Sequence, residues 1–165
     1  MATLYMLMGI PGSGKSTYAK NILIPHHKDA VYIASDVVRD LHPDIKEDNI
    51  WDVIYDMLAS SLKEGKDVIY DATNFNRFYR DKNKEELKKR NVTNFELVGY
   101  FFTTDRDVCI ERVKIRNHLP TERFLPTDVI ASYQDRLEFP SDDEGFKEIH
   151  VIDNTKENKK YKVVL

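Results

Sequence analysis

The stretch Gly9-Ile10-Pro11-Gly12-Ser13-Gly14-Lys15-Ser16-Thr17 fits the pattern G-x-x-x-x-G-K-[ST] and decides the fold. An unbroken apolar run, residues 4–8, precedes it, and a helical stretch, residues 16–23, follows. That context separates a phosphate loop from a glycine-rich turn that happens to read GKS. The glycines let successive backbone N–H groups turn inward as an anion nest, and the helix start adds its positive end. Lys15 is placed to reach the β- and γ-phosphates, and the Ser16 hydroxyl to bind Mg²⁺. The expected ligands are therefore ATP and Mg²⁺. Gly9, Pro11, Gly12, Ser13, Gly14, Lys15, Ser16 and Thr17 form the expected nucleotide-binding loop.

Working outward, four more apolar runs of strand length alternate with helical patterns. They cover residues 30–34 (AVYIA), 68–70, 95–102 (FELVGYFF) and 150–152. Continuous apolar runs of this length suit strands buried on both faces, as parallel sheets require. Between them, Ile50, Ile54, Met57 and Leu58 make one helical stripe over residues 49–62. Residues 77–90 read as a surface helix with a solvated, charged face. Thr104-x-x-Asp107 resembles a capping box opening a helix that buries Cys109 and Val113. Pro126 and Thr127 open a further helix carrying Ile130, Tyr133 and Leu137. The expectation is one α/β domain, residues 1–165, with a five-stranded, mostly parallel sheet between helix layers. Residues 156–165 read equally as a last strand or a docked tail.

Composition narrows the function classes. A chain of 165 residues buries about 68–70% of its unfolded surface and needs no disulfide or structural metal. Its 25 Lys and Arg against 28 Asp and Glu leave a net charge of −3, which argues against a broadly basic nucleic-acid binder. Cys109 is the single cysteine, which excludes an intramolecular disulfide and a thiolate zinc cluster and fits a reducing compartment. No apolar run approaches 18 residues, and the N-terminus lacks a signal-peptide pattern. A cytoplasmic protein without a membrane segment is expected, its oligomeric state open. The GTPase elements N-K-x-D and D-x-x-G are missing from the places where they belong, since Asn83-Lys84-Glu85-Glu86 falls inside a helix. A small kinase suits this length.

In open parallel sheets ligands sit beyond the carboxyl ends of the strands. Asp71 ends the third run and fits a second magnesium-site acid, direct or through water. Thr73 and Asn74 follow it, and Asn74 or Asn76 suits a helix cap. Asp36 ends the second run, with Arg39 three residues on, so a helix starting here puts both on one face. Such a carboxylate can accept a proton from an attacking hydroxyl while the guanidinium grips an anion. The plain alternative is a capping Asp beside an exposed Arg. A third cluster, residues 111–126 (ERVKIRNHLPTERFLP), places Arg112 and Arg116 one turn apart and breaks at Pro120. It reads as a lid over about residues 116–127, with Arg116 or Arg123 neutralising charge in phosphoryl transfer.

Together GIPGSGKST, SDVVR, YDATNFNRFYR and the Arg-Asn segment leading to LPTDVI resemble the kinase domain of the phage-type polynucleotide 5′-hydroxyl kinases, over about residues 4–139. The resemblance implies a three-layer α/β/α P-loop kinase fold with sheet order 2-3-1-4-5 and a helical lid. It also implies Asp36 as general base on a 5′-hydroxyl, Arg39 on the acceptor's phosphate, and a lid arginine on the donor phosphates. Where the family's lid arginine belongs, this chain reads Asn117-His118-Leu119-Pro120, so Arg116 or Arg123 is expected to serve. No room for a phosphatase domain is expected. The first reading is ATP-dependent phosphorylation of a 5′-hydroxyl end of DNA or RNA. A small-molecule kinase acting on a nucleoside, sugar or sugar-nucleotide is the second. A slow ATP-dependent binding module is the third, and a hydroxyl base at Asp36 argues against it.

Overall fold

The computed structural model describes residues 1–120, 122–155 and 160–164, the last of these as backbone. Six strands form one sheet: β1 (Thr3–Met8), β2 (Val31–Ala34), β3 (Val68–Asp71), β4 (Glu96–Phe102), β5 (Glu148–Asp153) and β6 (Lys160–Val164). Their order is β2-β3-β1-β4-β5-β6. The first five are parallel in the order 2-3-1-4-5, and β6 adds an antiparallel edge to β5. The tail that read either way thus contributes a strand over its described residues, 160–164. Residues 156–159 and 165 lie outside them.

The strands alternate sides as a pleat demands. Leu4, Met6 and Met8 enter the core under the long helices, together with Val68 and Tyr70. Leu7 and Ile69 enter the opposite core, under the helix that follows the phosphate loop. Burial on both faces explains why these strands read as continuous apolar runs. Gly99 is needed for close packing: a Cβ there would stand 2.7 Å from Met8 Cε and 3.0 Å from the Phe146 ring.

Seven α-helical segments flank the sheet among the described residues. The helix after the loop runs α1 (Lys15–Tyr18), a π segment (Ala19–Leu23) and α2 (Ile24–His26). The π segment leads into Pro25, which has no N–H to continue an α ladder. Then come α3 (Ser35–Leu41) and α4 (Glu47–Lys63), which buries Ile50, Ile54, Leu58 and Leu62. After them follow α5 (Arg77–Lys89), α6 (Arg106–Asn117) and α7 (Thr127–Asp135). Asn76 caps α5, its side chain accepting from Tyr79 N, while Asn74 takes another role. No helix among the described residues is long and apolar enough to cross a membrane.

Two expectations need correction. Helix α5 is not a wholly solvated surface helix, because Arg80, Asn83, Glu86 and Leu87 on one face are buried. Hydropathy reads that face as surface, but its polar groups are satisfied internally. The capping box at Thr104 does not form either. Asp105 caps α6, its Oδ1 accepting from Asp107 N at 2.9 Å and Val108 N at 3.4 Å. The Thr104 hydroxyl turns inward to the phosphate loop instead. Cys109 and Val113 are buried as expected.

Register places the site. Ala34 pairs with Asp71, and Asp71 with Leu7, so β1, β2 and β3 end level. The phosphate loop, the start of α3 and Asp71 therefore share one end of the sheet.

Candidate active site

The loop between β1 and α1 is built from both sides. Gly12 and Gly14 adopt φ of 82° and 95°, conformations closed to most side chains. A Cβ at Gly12 would stand 2.5 Å from the Cys109 carbonyl oxygen. Gly9 N donates to Thr73 O at 2.9 Å, and Asn74 Nδ2 to Leu7 O at 3.0 Å, which ties the root of the loop to the end of β3. On the other flank, the Thr104 hydroxyl donates to Ser13 O at 2.8 Å and accepts from Asn154 N. Asn154 Nδ2 also donates to Ser13 O. Arg112 Nη1 donates to Gly12 O at 3.2 Å, and its Nη2 to Asn154 O. These contacts anchor the Gly12 and Ser13 carbonyls, and with Gly9 N and Ser13 N bonded to Thr73 O and Ile10 O, facing an anion falls to the N–H groups at the start of α1.

Lys15 is buried, and its Nζ donates to Ile10 O at 3.0 Å. Burial pushes its pKa below the ordinary lysine value, while the charges of Asp71 and Asp36 oppose that shift and Arg116 adds to it. Both acids and Arg116 therefore lie within electrostatic reach of the Lys15 ammonium.

Ser16 opens outward from the first turn of α1, and its Oγ donates to Asp71 Oδ2 at 2.7 Å. Asp71 is only 5% exposed at the end of β3. These two oxygens suit a hard cation. Among the described residues no group of three or more His, Cys, Asp or Glu could hold a metal.

Asp36 stands in the first turn of α3 with its side chain 60% exposed. Arg39 Nη1 lies 2.8 Å from Asp36 Oδ1. Arg39 is also gripped by Glu47, through Nε at 3.0 Å and Nη2 at 2.7 Å, and its guanidinium lies 5.4 Å from the Trp51 ring centroid. The expected pair is thus together, but Arg39 is a held residue, 19% exposed, rather than a free one. A cavity of about 420 Å³ opens beside it, lined by Arg39, Asp40, His42, Glu47, Ile50 and Arg123.

The two arginines expected on a lid separate. Arg123 reaches α3, with Nη1 3.5 Å from Asp40 and Nε 3.9 Å from Asp36. Arg116 pairs with Glu122 at 3.6 Å, and its charge adds to the lowering of the Lys15 pKa. Arg112, grouped with them by sequence, points into the phosphate loop.

A family model described as an AAA domain matches residues 4–140. The chain belongs to this AAA-domain family. Its phosphate loop and sheet order make this AAA domain a P-loop kinase fold. Over 149 residues it is 30% identical to transcription factor bHLH140 of Arabidopsis thaliana; the match takes in 87% of this chain and 15% of that protein's length. It is similar to a chain of the Pnkp1/Rnl/Hen1 RNA repair complex, with a TM-score of 0.68 and 22% identity over 99% of this chain and 48% of that one. It is also similar to a gluconokinase from Sinorhizobium meliloti 1021, with a TM-score of 0.56 and 20% identity over 94% and 83%. At such identities the structural likenesses speak for the fold alone.

Sequence reasoning did not find Tyr32, whose hydroxyl donates to Asp71 at 2.6 Å. It also missed Thr104, Asn154, Glu47 and Trp51. Thr104 and Asn154 follow strand ends, so the rule that ligands gather there was the available signal.

Proposed function

We propose that this AAA domain is an ATP-dependent polynucleotide 5′-hydroxyl kinase, moving the γ-phosphoryl group of ATP to a 5′-hydroxyl end of DNA or RNA. The observation that carries the reading is Asp36. It is an exposed carboxylate within electrostatic reach of Lys15, salt-bridged to an arginine at the mouth of a cavity. A nucleotide switch has no use for a base there; a kinase does.

In this reading the loop N–H groups and Lys15 hold the donor phosphates. Asp36 accepts the proton of the 5′-hydroxyl as that oxygen bonds to the γ-phosphorus, and the β–γ bridging oxygen leaves with ADP. Arg39, positioned by Glu47 and Trp51, offers its remaining N–H groups to the phosphate after the first nucleoside. Arg116 neutralises charge on the donor side. Ser16 and Asp71 would hold a magnesium ion, which would supply charge neutralisation to the donor phosphates.

One observation favours a second reading, a small-molecule kinase. The carboxylates of Asp40 and Glu47 line the same cavity as the arginines and could accept from sugar hydroxyls. Labelled ATP offered with 5′-hydroxyl oligonucleotides, 3′-mononucleotides, nucleosides and gluconate decides between them. The polynucleotide reading requires the phosphate-bearing acceptors to win. Equal or better transfer to gluconate or plain nucleosides would overturn it.

A further inference from the structure

The Tyr32 hydroxyl and the Ser16 hydroxyl donate to the same oxygen of Asp71, Oδ2, at 2.6 and 2.7 Å. Neither hydroxyl goes to the other oxygen, Oδ1. Tyr32 lies on β2, paired in register with Ile69, two residues before Asp71 on the neighbouring strand. Its ring packs against the core beneath α1, a task phenylalanine could perform as well. The hydroxyl is therefore what distinguishes this residue, and its partner is Asp71. Its hydroxyl acts as a donor to the carboxylate.

We propose that Tyr32 is a positioning residue of the phosphoryl-transfer site: with Ser16 it fixes Asp71 Oδ2, so that Oδ1 is the oxygen presented to the magnesium–nucleotide. Partners behind a metal ligand set its orientation and tune its affinity. The inference rests on the nucleotide and magnesium part of the proposed function and is independent of the acceptor.

The test is equilibrium binding of ATP to wild type and Tyr32→Phe, in EDTA and then across a magnesium titration. No turnover is needed. The variant should bind ATP in EDTA as wild type does, with an unchanged circular dichroism spectrum. Its magnesium midpoint should rise about 10-fold, the lower end of the usual cost of losing such a partner. An unchanged midpoint overturns the proposal. So does an equal loss of affinity in EDTA, which would make the hydroxyl a structural group. If wild-type affinity for ATP ignores magnesium, the magnesium assignment falls and Tyr32 falls with it. A failure of every polynucleotide acceptor would leave the binding result standing, so the two readings fail separately.

Discussion

Arg80 and Glu144, 64 residues apart, form an ion pair at 2.7 Å with side chains 1% and 0% exposed. The same guanidinium donates to Asn74 O at 3.1 Å and Glu138 O at 2.9 Å. Asn74 in turn holds Leu7 O, and its side-chain oxygen accepts from Asn83. A buried pair beneath α5 thus supports the turn that joins β3 to the root of the phosphate loop. Removing one member strands the other charge. Arg80→Met should cost about 3–5 kcal/mol, lowering Tm by about 6 °C or more in a chain of this size. Thermal melts should also show a pH signature. Burial would raise the Glu144 pKa, but the hydrogen bonds from Arg80 and Ser141 N and the charges of Arg80 and Arg77 together outweigh it and hold the carboxyl below its ordinary 4.5. The stabilisation is fully present above that value and is lost as pH falls through the lower, folded-state pKa. Wild type should therefore lose stability below about pH 4.5, and Arg80→Met should lack that component.

Lys15 combines a stability cost with a functional need. Its folded-state pKa is lowered, chiefly by burial, so the charged form is disfavoured in the folded chain. The unfolded chain binds more protons, and this cost eases as pH rises toward the ordinary lysine value. Lys15→Met keeps the length and removes the buried charge. Phosphoryl transfer should vanish, while Tm at neutral pH should hold or rise; a gain of about 1 kcal/mol would show as about 2–4 °C. A folded variant with normal turnover would remove the loop from the mechanism.

Legibility in the sequence followed physical locality. The phosphate loop is contiguous, and strands buried on both faces write themselves as apolar runs, so a parallel sheet and the positions of Lys15, Ser16 and Asp71 could be read directly, whereas the strand order followed only from the family resemblance. Tyr32 could not be singled out, because a tyrosine inside an apolar run looks like core until Asp71 is seen beside it. Arg80, Asn83 and Glu86 looked solvated because hydropathy cannot register partners such as Glu144 and Asn74. Thr104 sat three residues before Asp107 in a pattern that suits a cap. Its hydroxyl instead serves a carbonyl 91 residues away, a contact only the fold creates. The lid arginines are equivalent in composition and differ only in what they face.

Cys109 tests the wall behind the loop. Its thiol is buried and pushed up to about 11, chiefly by burial. Its Sγ donates to Thr104 O at 3.7 Å. A thiol so placed is almost wholly protonated at neutral pH and shielded from reagents. Iodoacetamide at pH 7.5 should leave the native chain unmodified by mass spectrometry and its turnover unchanged, and should label it once unfolded in urea. Rapid labelling of the folded chain would show that α6 does not seal against the loop as described.

Arg116 and Arg123 should divide the lid's work between donor and acceptor. Arg116 acts on Lys15, the phosphate-binding cation, whereas Arg123 stands over Asp36 and Asp40 at the rim of the cavity that Arg39 also lines. Arg116→Ala should therefore lower kcat with every acceptor, by about 10³-fold if it is worth what an arginine finger usually is. Arg123→Ala should leave kcat at saturating acceptor nearly intact and raise KM for 5′-hydroxyl oligonucleotides. The loss of one charge-assisted hydrogen bond predicts a fall in kcat/KM of about 10- to 150-fold. KM for ATP should not move in Arg123→Ala. Steady-state kinetics with acceptor and ATP varied separately read all of these. The division is wrong if the two variants show the same pattern, or if Arg123→Ala alone raises KM for ATP.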